Sequence, residues 1–223
     1  MKFRHEVKCE ISQTDFHVLR GRLRTIMKPD AHTQNGIYKI RSLYFDNLDD
    51  KALREKIDGV AIREKWRLRL YNEDTSFIRL ERKFKYNSLG NKLSTTLTED
   101  QTRRIINGDV GWMAESGNEV LLSFLSKIRS DRLIPRTIVE YTREPFVFSA
   151  GNVRVTLDYN IRTGLGSTDF LNPDCPLVPI SPSPIILEVK WDEFLPDIIR
   201  DIVQLDSHRM GAFSKYASCR MYD

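Results

Sequence analysis

Cysteine is scarce in this chain: three in 223 residues, at positions 9, 175 and 219, with no Cys-x-x-Cys pair. Their spacing excludes a disulfide framework, argues against a structural zinc site and suits a reducing cytoplasm. Excess charge of one sign is also missing. Thirty-five basic residues nearly cancel 31 acidic ones, leaving a net +4. That balance argues against a bulk nucleic-acid binder and leaves room for a local basic site. No apolar run approaches the roughly 18 residues of a membrane span. The N-terminus, Met-Lys-Phe-Arg-His-Glu, lacks the apolar core of a signal peptide. There is no solenoid-type repeat and no low-complexity tract.

What is present is globular: 40% hydrophobic and 30% charged residues, enough to bury a core as one domain over residues 1–223. Eight segments read as strands, at Phe3–Ile11, Ile37–Asp46, Val60–Tyr71, Phe77–Lys85, Lys92–Thr98, Thr137–Val147, Val153–Tyr159 and Ile185–Trp191. Asn72–Ser76 is a hairpin-type loop and Asn87–Asn91 a turn. Helical spacing follows Ser12, with Phe16, Leu19, Leu23 and Ile26, and stops before Pro29. Further helices are expected over Leu48–Ile57, Glu99–Asn107 and Asn118–Arg129, and one after Pro196. Ile161–Pro184 is Gly/Pro/Ser-rich and is expected to be a long loop, mobile or serving as a lid. Short connections favour an antiparallel sheet.

The strand Arg63–Tyr71 carries the sharpest signal. With a period of two, Arg63, Lys65, Arg67, Arg69 and Tyr71 share one face, and Trp66, Leu68 and Leu70 the other. A lone strand of this kind reads most simply as a solvated face. The pattern recurs, however, with acids and bases mixed: Glu6, Lys8, Glu10, Glu81, Lys83, Arg143, Arg154, Asp158, Glu188 and Lys190. The amphipathic helices meanwhile need apolar sheet surface to pack on. An α+β fold built on an eight-stranded antiparallel closed barrel meets both demands, apolar and helix-covered outside, charged within. Cations lining such a lumen suit a multiply charged anion, and carboxylates among them suit a divalent cation bridging to it.

Matching stretches across nearly the whole chain are similar to one known family: RHEVKCEIS (4–12), YKIRSLYFD (38–46), GVAIREKWRLRLY (59–71), LERK (80–83), YTR (141–143), VRVTLD (153–158), ILEVK (186–190) and SKY (214–216). In this order they resemble the polyphosphate-polymerase (VTC) domain of the triphosphate tunnel metalloenzyme, or CYTH-like, superfamily. The resemblance implies an eight-stranded tunnel that holds a nucleoside triphosphate with Mn2+ or Mg2+. It implies transfer of the γ-phosphate to a growing polyphosphate chain. By resemblance Lys8, Arg67, Arg69, Lys83, Lys92, Arg143, Arg154 and Lys215 are the phosphate-binding cations. Tyr141 stands near the terminal phosphate, and Glu188 is the metal-binding carboxylate.

The chemistry fits these residue types, because phosphoryl transfer needs positioning and charge neutralisation more than a protein nucleophile. The chain departs from the family where Cys9 follows Lys8, a place commonly taken by tyrosine. It also lacks the Glu-x-Glu-x-Lys strand of the hydrolytic branch. It carries neither an inositol-phosphate-sensing domain nor a membrane anchor. A polymer product would therefore stay in the same compartment unless a membrane or transporter partner moved it. Two other readings share the same residues: a triphosphatase acting on inorganic or nucleoside triphosphate, and a non-catalytic polyphosphate binder. Within the site, Asp158 is expected to pair with Arg154 and Glu81 to orient Lys83. All readings place Arg67 and Arg69 away from bulk solvent.

Overall fold

The computed structural model describes residues 4–86, 89–203 and 213–222. The chain divides into two compact units. The first comprises residues 1–39, 141–161 and 181–213, and the second 40–140, 162–180 and 214–223. Ten strands and six α-helices follow one another along the described residues.

In the first unit, β1 (His5–Ile11), β10 (Ile185–Trp191), β8 (Val153–Thr163) and β7 (Ile134–Phe148) are neighbours in that order. The antiparallel register sets Lys8 opposite Glu188 and Glu6 opposite Lys190. It also sets Glu188 opposite Thr156 and Lys190 opposite Arg154. The alternation therefore sorts Glu6, Lys8, Arg154, Glu188 and Lys190 onto one face. Cys9, Val155, Leu157, Leu187 and Val189 occupy the other and are buried against helix α1 (Gln13–Ile26) through Phe16, Leu19 and Leu23. Ser12 caps that helix, accepting from the Asp15 amide at 3.1 Å, and it ends at Ile26, short of Pro29.

In the second unit the order is β7, β3 (Tyr38–Asp46), β4 (Ile62–Tyr71), β5 (Ile78–Tyr86) and β6 (Leu89–Leu97). Leu43, Phe45, Trp66, Leu68, Leu70, Ile78 and Leu80 form its apolar face. Helix α4 (Glu119–Asp131) covers this face, its Phe124 ring lying 4.8 Å from Trp66 and 5.0 Å from Phe45. Helix α3 (Glu99–Ile106) adds Ile105 and starts at a Thr98–Gln101 capping box. The turn between β4 and β5 puts Asn72 and Glu73 at φ of 51° and 61°, and Ser76 donates to the Asp74 carboxylate from both its amide and its hydroxyl.

Two expectations are corrected. The eight long strands are antiparallel, but the sheet is open: the hydrogen-bonded order ends on β1 and β6, and among the described residues nothing pairs these two edges. Closure requires a last strand to complete the staggered ladder. Instead β1 brings Glu6, Lys8 and Glu10 to one edge and β6 brings Lys92 to the other, and charges are how natural sheets keep edges unpaired. The segment after Ile161 is not loop throughout. Ile161–Thr163 finish β8, and the two-residue strand β9 (Val178–Pro179) pairs with Arg162 and Thr163. Phe170 and Cys175 lie in the second unit's core. Arg41, fixed by Glu140 at 2.8 Å, donates to the carbonyls of Asn172 and Pro173 at 2.6 and 3.3 Å. Of the expected turn at 87–91, Asn87 and Ser88 lie outside the described residues.

Because Phe124 is fully buried between two aromatic rings, Phe124→Ala should cost about 3–5 kcal/mol. Chemical denaturation checks this against the exposed control Leu122→Ala, expected within about 1 kcal/mol of wild type.

Candidate functional site

Each unit carries a nearly buried carboxylate held by three cations. In the second unit it is Glu81 of β5, 1% exposed. Register places it opposite Arg67. Arg67 donates to Glu81 Oε2 from Nε at 2.8 Å and from Nη2 at 2.7 Å. Lys92 reaches Oε1 at 3.0 Å, and Arg69 lies 3.9 Å from Oε2. Burial alone would push the Glu81 carboxyl up. Arg67, Arg69 and Lys92 outweigh it and hold the group far below the usual carboxylate range.

Around this carboxylate the arginines are fixed from behind. Arg67 Nη1 donates to the Tyr44 hydroxyl at 2.9 Å, and Arg69 Nε to Ser42 Oγ at 3.1 Å. Arg69 is 5% exposed, so the solvated-face reading fails at this strand. Burial would raise the Tyr44 phenol, but Arg67, Arg69 and Lys215 together hold it below its ordinary value. Lys83 stands opposite Lys65 on β4 and Lys92 on β6, hence on the same face.

Lys215 arrives from helix α6 (Lys215–Arg220), capped by Ser214. Tyr216 anchors that helix by stacking on Tyr44 at 4.8 Å and donating to buried Asp46 at 2.8 Å. Asp46 also accepts from the amides of Ala52 and Leu53 at the start of α2 (Lys51–Ile57). One carboxylate at the end of β3 therefore locks two helices.

In the first unit the buried carboxylate is Glu188, 3% exposed. Lys190 lies at 2.6 Å, Arg143 at 3.2 Å and Lys8 at 3.5 Å. Lys8 also pairs with Glu6 at 2.8 Å, and Lys190 approaches the same residue at 3.8 Å. Burial opposes the charge of Lys8, yet Glu188 and Glu6 raise its pKa well above the ordinary lysine value. Arg143 grips Asp158 through two bonds of 2.6 and 2.7 Å and packs 5.5 Å from the ring of buried Tyr141.

The expected partners differ in two places. Asp158 pairs with Arg143, whereas Arg154 bonds to Asp30 at 3.1 Å and to the Tyr38 hydroxyl. Asp158 lies opposite Ile186 in the ladder, and Arg154 is four residues away along the same strand, beyond its reach. Glu81 takes Arg67 and Lys92 rather than serving only to orient Lys83, and Tyr44 and Ser42 complete the group. The signal for Glu81 was present: a loop over Asn72–Ser76 pairs Tyr71 with Phe77, and so Arg67 with Glu81.

Among the described residues no group of three or more His, Cys, Asp and Glu lies together. Glu188 and Glu6, joined through Lys8 and Lys190, are two carboxylates at one place. That donor set fits a hard cation bound through one or two carboxylates and completed by phosphate oxygens, not one in an all-protein cage.

A sequence model described as the VTC domain matches residues 3–222. No curated protein sequence matches the chain. Among the solved structures that share the fold are two whose names refer to cyclases. One, from Hippeastrum, bears the name of an adenylyl cyclase and is described as having a dominant triphosphatase activity. It is 10% identical, with 98% of this chain and 95% of that one covered and a TM-score of 0.55. The other, named for adenylate cyclase and from Bacillus halodurans, is 13% identical with coverages of 85% and 80% and a TM-score of 0.51.

The acid response of the fold follows from Glu81. A carboxylate whose folded pKa lies below its unfolded value of about 4.3 stabilises the fold at all pH above that value, and stops doing so as pH falls through the folded one. Unfolding by urea should therefore become easier from about pH 5 downward. Glu81→Gln, which has no such proton to take up, should show a flatter dependence over the same interval.

Proposed function

The chain belongs to the VTC domain family of the triphosphate tunnel metalloenzyme (CYTH-like) superfamily, and from that premise we propose that it is an ATP-dependent polyphosphate polymerase working in the cytoplasm as one domain over residues 1–223. An oxygen of the terminal phosphate of polyphosphate attacks the γ-phosphorus of ATP in line. The new P–O bond forms as the β–γ bridging bond breaks, and ADP leaves with the electron pair of that bond.

In the second unit Arg67, Arg69, Lys83, Lys92 and Lys215 bind phosphate oxygens. In the first, Lys8, Arg143 and Arg154 do so, and Tyr141 stands by the terminal phosphate. Glu188, with Glu6 beside it, would hold Mn2+ or Mg2+, which when bound neutralises charge on the phosphate oxygens. Arginine offers paired planar donors to phosphate, and lysine a point charge. Their fixed positions supply the orientation on which phosphoryl transfer depends. The observation that supports this reading is the placement of Arg67 and Arg69. Both stand on the charged face, locked through Glu81, Tyr44 and Ser42, opposite the apolar face covered by α4.

The same residues serve hydrolysis if water replaces the polyphosphate acceptor. A triphosphatase is the second reading, in keeping with the activity described for the Hippeastrum protein. Product analysis separates them. Pure protein with ATP and Mn2+ or Mg2+ should yield polymer and ADP. Orthophosphate without polymer would favour the hydrolase, and triphosphate binding without turnover under any metal would favour a polyphosphate-binding module. Arg67→Ala or Arg69→Ala should weaken triphosphate binding several-fold or more, measured by calorimetry. Glu188→Gln should abolish turnover while leaving metal-free triphosphate affinity within a few-fold of wild type.

A further inference from the structure

Glu81 stands where its chemistry is least expected. It is an anion at 1% exposure, on a face otherwise given to cations and assigned above to phosphate. It is not an ordinary cross-strand pair, because a single carboxylate draws on Arg67, Arg69 and Lys92 together. It occupies the Nε and Nη2 edge of Arg67, the edge with which a guanidinium makes paired bonds to an oxyanion. We propose that Glu81 is a built-in counter-anion that sets the lowest charge of ligand the Arg67–Arg69–Lys92 group accepts, and so selects triphosphate over orthophosphate. The proposal rests on the phosphate-binding reading of these cations.

The argument is one of charge balance. Three cations and one carboxylate leave a smaller attraction for an incoming anion than three cations alone. A small anion such as orthophosphate must compete with a carboxylate already held in place. A triphosphate carries enough charge and enough oxygens to engage Lys92, which is about half exposed, together with neighbouring cations while Glu81 keeps its bonds to Arg67. Replacing Glu81 by a neutral residue of the same shape removes the competitor. Affinity for all phosphates should then rise, and most for the smallest.

Isothermal calorimetry on the full chain at fixed ionic strength tests this with inorganic triphosphate and orthophosphate. Glu81→Gln should bind triphosphate several-fold more tightly than wild type. The ratio of the orthophosphate Kd to the triphosphate Kd should fall by about tenfold, the size of effect expected of charged hydrogen-bonding groups. Glu81→Asp, which keeps the charge, should retain the wild-type ratio even where it lowers Tm, as a purely structural role would not predict. Glu81→Gln that folds yet binds no more tightly, or with an unchanged ratio, overturns the proposal. Should Glu81→Gln fail to fold, Glu81→Met, which also removes the competing charge at similar volume, decides: its ratio should fall as well, and a ratio unchanged or raised overturns the proposal. A wild-type chain that binds no triphosphate would instead overturn the phosphate-binding reading itself.

Discussion

A carboxylate withdrawn from water stays ionised only where cations and hydrogen bonds replace its hydration, and removing one partner leaves a buried charge uncompensated. This constraint governs Glu81 and Glu188 alike. Around Glu81 it fixes the positions of Arg67, Arg69 and Lys92, which come from two different strands. The register of β4, β5 and β6 is therefore pinned by charge on one face as well as by apolar packing on the other. A slip of one residue would carry Glu81 to the face of Leu68 and Trp66 and bring Leu80 among the arginines. Glu188 plays the same part for Lys8, Lys190 and Arg143 in its own unit.

The apolar faces make this arrangement affordable. In the second unit α4 seals Trp66 and Leu68 from water, and in the first α1 does so for Val155 and Leu187. Helices on that side leave the other side as the place for polar chemistry. This inverts the usual one-sided sheet, in which the charged face is merely the wet one. Asp46 extends the logic beyond the strands. By binding the start of α2 and the hydroxyl of Tyr216 it fixes the short helix that carries Lys215. The position of Lys215 is thus set by a residue at the end of a strand.

Functionally, such a site contributes fixed charge rather than a nucleophile. Cys9, Cys175 and Cys219 are buried, and burial pushes the Cys9 thiol up to about 11, away from reactivity. On the proposed reading, what the protein would supply to a phosphate chain is a set of donors whose orientation is settled before the ligand arrives. Preorganisation of this kind is where phosphoryl transfer obtains its rate.

How much of this was legible in the sequence depends on the range over which each feature is decided. Alternation in Arg63–Tyr71 sorted Arg67 and Arg69 from Trp66 and Leu68, because side-chain direction in a strand is a local property of the backbone. Ser12 announced its helix for the same reason: a cap is made within four residues. Even the pairing of Arg67 with Glu81 lay within reach, since a short hairpin loop sets its own register. The partners of Arg154, and Glu188 as a partner of Arg143, did not, because Asp30, Tyr38 and Glu188 meet them from elements far apart in the chain. Nor did the packing of Phe170 and Cys175, which turned an apparently loose Gly/Pro-rich segment into part of a core. The open edges at β1 and β6 were likewise beyond it. Local pattern determined which residues are charged, on which face, and in what order. Only the tertiary structure decided which charge answers which and where the sheet stops, since both depend on contacts between segments that the sequence separates by scores of residues.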